Sequence, residues 1–266
     1  MRWARTPYRG RATYALVEDD TLLLVDGDPF TSYTHTSVRV PLASSRLLPP
    51  VIPPTFYAVG FNYAGHNAEA AARGSADAVP VPLPERPEPG YRAQSALIGH
   101  GEPIVRPADC PDPFEAEAEL VAVIGGDLRR RPGGCSRDEA ASSVLGWTIG
   151  NDVSARAWQR ADRTFWRAKN SDTFKPMGPW IETDTDPLTA TTTVTIDGVK
   201  TAEFPTGAMV FDPYDYISAL TGYSTLRAGD VLWMGTDAMV PMPSGCTLGI
   251  EITGIGTLAN PVTEET

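Results

Sequence analysis

Residues 114–126 read FEAEAELVAVIGG and set two patterns end to end. The second half is a strongly apolar, β-prone run closed by a Gly-Gly pair, which predicts a strand. In the first half glutamate alternates with alanine. Residues i and i+2 of a strand face the same side with Cα atoms roughly 6.5 to 7 Å apart, so Glu115, Glu117 and Glu119 form a stripe of like charge. Parallel carboxylates repel unless something positive sits between them, and a solvated strand face is the plain alternative from this stretch alone.

The pattern of short β-prone runs bounded by Gly, Pro or Asp continues through 95–105, 119–128, 143–154, 191–198, 229–235 and 246–258. Helical periodicity is sparse, clearest in NAEAAAR (67–73), SRDEAASSVL (136–145), SARAWQRADR (154–163) and PYDYISALTG (213–222). The fold class is therefore α+β, predominantly β. Residues 1–50 read as a small strand-rich N-terminal unit with Asp-Asp and Asp-Gly turns. It ends at a prolyl hinge, Pro49, Pro50, Pro53 and Pro54, after which a main domain occupies 51–266. Residues 72–92 are too rich in proline, alanine and charge to predict a regular element, and proline-rich loops of this length are often covers over a site.

Composition narrows the function. A formal charge of -11 leaves no basic patch for nucleic acid. No apolar stretch approaches the roughly 18 residues of a membrane span, and the N-terminus lacks a signal-peptide core, so a cytoplasmic protein with no membrane partner is expected. Cys110, Cys135 and Cys246 are too few and too widely spaced for a disulfide framework or a zinc ribbon.

A second acidic position changes the reading of the glutamate stripe. In GWTIGNDVSARAWQ (146–159) Asp152 closes an apolar strand and opens a short helix, where an unpaired charge would be costly. Carboxylates gathered at strand ends, with His and Cys scarce, specify a hard oxygen-preferring cation: Mg2+, Mn2+ or Ca2+ rather than zinc. Arg156 and Gln159 are i and i+3 on one helix face, and Lys169 and Asp172 follow in what reads as a loop. Only Lys169, Lys175 and Lys200 occur among 22 cations, so a retained lysine suggests a need for a compact ammonium. In GFNYAGHNAE (60–69) His66 precedes Glu69 by three residues, the spacing of a surface ion pair or of a base with its orienting acid.

Taken in order and spacing, GFNYAGHNAE, EAELVAVIG, GWTIGNDVSARAWQ, AKNSDTFKPMGPWI and GDVLWMGTD resemble the signature segments of the fumarylacetoacetate hydrolase family, over roughly residues 47–262. The resemblance implies a mixed β-sandwich roll with short helices and a homodimer. It also implies metal ligands at Glu117, Glu119 and Asp152, with Glu115 not touching the metal. It places Arg156, Gln159 and Thr236 against substrate, makes Lys169 catalytic, and makes His66 and Glu69 the general base and its orienting acid. Phe61, the Asp237 after GT, and RAQS at 92–95 depart from common family choices and bear on substrate. The implied activity is metal-dependent hydrolysis of a carbon-carbon bond in an acylpyruvate or related dioxo acid through a stabilised enolate. Decarboxylation of a 2-oxo or β-keto acid and dienoate isomerisation are alternatives on the same site. A non-catalytic metal-dependent ligand binder is the alternative from another class.

Overall fold

The computed structural model describes residues 1–73 and 82–266, and residues 69–73 by their backbone alone. The chain is mostly strands with a few short helices, as its short β-prone runs predict.

The strand Ala118–Ile124 is the axis of the molecule, buried at every residue. It pairs antiparallel with Val144–Asn151 on one side and with Val231–Trp233 on the other. Leu120, Ala122 and Ile124 enter the larger apolar core, whereas Val121 and Val123 enter a second core with Trp3, Met177 and Trp233. A strand covered on both faces explains why its sequence is continuously apolar rather than alternating.

From this axis an 11-stranded sheet extends in both directions. On one side, Val144–Asn151 pairs with Lys175–Glu182, which pairs in turn with Arg2–Tyr8 of the N-terminal meander. The meander runs on through Arg11–Glu18, Thr21–Gly27 and Tyr33–Pro41. Its strands thus continue the main sheet. On the other side Val231–Trp233 pairs parallel with Phe56–Val59. A five-stranded sheet built on Thr191–Ile196, Val199–Pro205, Thr247–Ile252, Gly256–Glu264 and Ile104–Arg106 packs its apolar residues into the larger core.

Several local expectations are corrected. Pro89–Tyr91 forms a strand against Phe56–Val59, so the proline-rich stretch does yield a regular element; residues 74–81 of that stretch lie outside the described residues. The helix expected over 136–145 stops at Ser143, because Val144 and Leu145 begin the buried strand. Its start is fixed by a capping box in which Ser136 and Glu139 satisfy each other's backbone N–H. Lys169 lies in a helix, Trp166–Asn170, rather than in a loop. Among the described residues no helix is long and apolar enough to cross a membrane.

Candidate active site

The glutamate stripe is not a single strand face. Phe114–Ala116 belongs to a three-stranded sheet with Ser154–Ala155 and Val240–Pro241, and Ala118–Ile124 belongs to the large sheet. Glu117 sits at the break. There its N–H donates to Asn151 Oδ1 at 3.0 Å and its carbonyl accepts the Asp152 N–H at 3.0 Å. The chain's change of sheet at Glu117 therefore turns its side chain toward Asp152, the residue that ends the neighbouring strand. Carboxylate oxygens of Glu117, Glu119 and Asp152 come within 4.8 Å of one another, and all three residues are buried.

Cations hold most of this charge in place. Lys169 Nζ donates to Glu117 Oε2 at 2.5 Å and to Asp152 Oδ2 at 2.9 Å. Arg156 spans two glutamates, with Nε to Glu115 Oε2 at 2.7 Å and Nη2 to Glu117 Oε1 at 2.5 Å. Its Nη1 donates to Gln159 Oε1 at 2.9 Å, which confirms the shared helix face and leaves the Gln159 NH2 to offer a ligand. Glu115, paired to Arg156, stands outside the group of three carboxylates.

Two cations that the sequence reading did not place at the carboxylates meet Asp152. Arg92 grips Asp152 through one edge of its guanidinium, Nε to Oδ1 at 3.0 Å and Nη2 to Oδ2 at 2.8 Å. Lys175 is fully buried, 2.7 Å from Asp152 Oδ1, with its ammonium also donating to the Phe174 carbonyl at 2.8 Å. Its signal was present in the sequence, because a lysine inside the apolar strand KPMGPWIE needs a buried acid.

The carboxyl groups respond to these neighbours in opposite ways. Burial pushes Glu117 up, but the Arg156 and Lys169 charges outweigh it and hold its carboxyl down at about 2. Asp152 is likewise held well below the carboxylate range, burial being overcome by Arg92, Lys169 and Lys175. Glu119 goes the other way. It receives the Gly235 N–H at 2.8 Å and no ion pair among the described residues; burial, Asp152 and Glu117 raise its carboxyl well above the usual range. Burial brings the Lys175 ammonium down to about 8.

That contrast tests whether a metal fits. Three oxygen donors converge with neither His nor Cys among them, and one of the three, Glu119, is a buried carboxyl with no ion pair among the described residues. The set suits a hard divalent ion. Thr236, adjacent to the Gly235 that binds Glu119, is buried; its hydroxyl donates to the Ala238 carbonyl at 3.1 Å.

His66 lies on the helix Ala64–Arg73, is buried, and sits near enough to Glu117 to favour that carboxylate's charge. Asn62 anchors the turn before the helix, its Nδ2 donating to the Phe211 and Met234 carbonyls at 3.0 Å each. Asp237 ties the helix start to the Gly235–Thr236 loop by accepting the His66 N–H at 3.0 Å. The edge of the Phe61 ring meets the imidazole at 6.2 Å between centroids. The side chain of Glu69 lies outside the described residues.

The chain matches the family description "Fumarylacetoacetate (FAA) hydrolase C-terminal" over residues 55–263. It belongs to the fumarylacetoacetate hydrolase family. Residues 1–50 match a separate description, "Rv2993c-like, N-terminal". Protein Rv2993c of Mycobacterium tuberculosis is 39% identical over 238 residues, which cover 88% of this chain and 84% of the relative. A crystal structure of 5-carboxymethyl-2-hydroxymuconate delta-isomerase from Mycobacterium smegmatis superposes with a TM-score of 0.86 at 36% identity and covers 100% of both chains. The 4-hydroxyphenylacetate degradation bifunctional isomerase/decarboxylase of Salmonella dublin is 32% identical over 213 residues, covering 78% of this chain and 46% of the relative. Fumarylacetoacetate hydrolase family members are thus enzymes with hydrolase, isomerase and decarboxylase reactions among them.

Proposed function

We propose that this chain is a divalent-metal-dependent hydrolase that cleaves a carbon-carbon bond in an acylpyruvate or related dioxo acid. The observation that carries the reading is the buried group of Glu117, Glu119 and Asp152 carboxylates, with His66 also buried on the helix that Asp237 ties to the Gly235–Thr236 loop. Mg2+ is the expected ion, with Mn2+ or Ca2+ as substitutes, held by those three residues. When bound, the ion supplies Lewis acidity that lowers the cost of negative charge on a keto oxygen.

The chain's own residues supply the rest. Arg156 and the Gln159 amide bind and orient the oxo acid, with Thr236 at its end. His66 accepts a proton from water as the water oxygen adds to the distal carbonyl carbon. The bond from that carbon to the adjacent methylene then breaks, and its electron pair passes into the pyruvate portion as an enolate. Lys169 places an ammonium where that charge develops. The protonated His66 returns its proton to the enolate carbon, giving a carboxylic acid and a 2-oxo acid. Glu69 is proposed as the acid that orients the imidazole.

Isomerisation or decarboxylation on the same site is the second reading, favoured by the names of the Mycobacterium smegmatis and Salmonella proteins. Both need an electron sink and proton transfer but no activated water. We take residues 1–50 as an appended unit and 51–266 as the catalytic domain of a cytoplasmic homodimer acting on a small oxo acid.

Chelation should abolish activity and Mg2+ or Mn2+ should restore it. Steady-state rates with an acylpyruvate and with oxaloacetate, on one preparation, separate the two readings. His66→Ala should lose acylpyruvate cleavage by about two to four orders of magnitude, as expected for loss of a general base, while oxaloacetate decarboxylation largely survives. Equal, slight effects on both substrates would put the hydrolase reading behind the second one.

A further inference from the structure

We propose that Phe61 and Asp237 select the acyl end of the substrate, admitting an apolar, uncharged tail beyond the distal carbonyl and disfavouring one that ends in a carboxylate. The inference rests on the hydrolase reading above.

Phe61 stands in the left-handed region, at φ 58°. For a bulky residue that conformation is an outlier, and it persists only where the surroundings hold it. Here they do. The Phe61 carbonyl accepts Asn67 Nδ2 at 3.4 Å. The next residue, Asn62, accepts the Val210 N–H on its carbonyl at 2.8 Å and the Phe211 N–H on its Oδ1 at 3.1 Å. The turn so fixed keeps the Phe61 ring 36% exposed and in T-shaped contact with the imidazole of buried His66. An aromatic ring held in a strained turn, partly in solvent and beside the proposed base, is a surface for a ligand rather than for the core.

His66 acts on the water that adds to the distal carbonyl carbon, so that carbon lies one water away from the imidazole. The group attached beyond it therefore comes up against the side chains around His66. Phe61 offers that group an apolar face. Asp237 brings a carboxylate, accepting the His66 N–H at 3.0 Å. Gly65 makes room for it, since a Cβ at that position would lie 2.4 Å from Asp237 Oδ1. A tail carboxylate would leave water to meet a ring and a like charge, whereas an alkyl or aryl tail buries apolar area on Phe61.

Calorimetric titration of the Mg2+-loaded full chain with 2-oxohexanoate and with 2-oxohexanedioate reads the preference without turnover, because the two differ only by a terminal carboxylate. Cleavage of 2,4-dioxoheptanoate and 2,4-dioxoheptanedioate reads it again in kcat/KM. In both assays the uncharged tail should lead by at least about tenfold, the scale on which a pocket contact discriminates. Phe61→Leu should keep that lead, and Phe61→Arg should abolish or reverse it. Asp237→Asn still offers the His66 N–H an acceptor, and it should cut the lead by at least about threefold through tighter binding of the diacid alone. A merely structural role would weaken both ligands alike. Equal binding of the pair by the parent, preference for the diacid, or a ratio unmoved by both Phe61→Arg and Asp237→Asn would overturn the inference, while cleavage of either dioxo acid would keep the hydrolase reading. The expected preference in binding, with cleavage of neither dioxo acid, would overturn the hydrolase reading alone. Binding of neither 2-oxo acid in Mg2+ would overturn both.

Discussion

Lys169→Met removes the ammonium that touches both Glu117 and Asp152 while keeping a side chain of similar length. A buried charge left wholly unpaired costs about 3 to 5 kcal/mol. Neither carboxylate is left so. Glu117 keeps Arg156 at 2.5 Å, and Asp152 keeps Arg92 at 2.8 Å and Lys175 at 2.7 Å. The loss is then that of charge-assisted hydrogen bonds with their acceptors still served, about 1.5 to 3 kcal/mol. For a chain of this size each kcal/mol moves Tm by about 2 to 4 °C, so thermal melting should fall by about 3 to 12 °C with one cooperative transition. Bound metal, measured by elemental analysis after equilibration with Mg2+, should not decline, because a competing cation has gone. If Lys169 stabilises charge in the transition state, kcat should drop by about a hundredfold, near 2.7 kcal/mol. A variant that melts as predicted, keeps its metal and turns over within about threefold of the parent would refute the catalytic role. A variant that fails to fold would refute the claim that Arg156, Arg92 and Lys175 suffice to hold the two acids.

Two further outcomes follow from single contacts. Asp237→Ala removes the carboxylate that accepts the His66 N–H, a loss of about 1 kcal/mol for a capping group, and Asp237→Asn should restore most of it. Hydrogen exchange of the His66 amide should quicken in the alanine variant alone, and kcat should fall less than about tenfold; unchanged exchange would remove Asp237 from any positioning role. Gly150→Ala would set a methyl carbon 2.6 Å from the Trp233 ring, an overpacking worth about 1 to 3 kcal/mol, and an unchanged Tm would show that the ring can move aside.

The predominantly β class was legible because short β-prone runs with Gly, Pro and Asp at their ends carry their own local preference, and the order of five motifs identified the family. The resemblance also named Glu117, Glu119 and Asp152, the three acids whose carboxylate oxygens the fold gathers within 4.8 Å of one another. The sequence could not show that the stripe breaks at Glu117. Alternation at i and i+2 describes one continuous strand, and only pairing with Ser154–Ala155 on one side and Val144–Asn151 on the other moves the chain between sheets. Nor could it bring Arg92 and Lys175 to Asp152 across 60 and 23 residues, because such contacts are set by which strands end side by side rather than by local spacing. Local sequence chose the elements and the chemistry of their side chains; the sheet's strand order chose which charges meet.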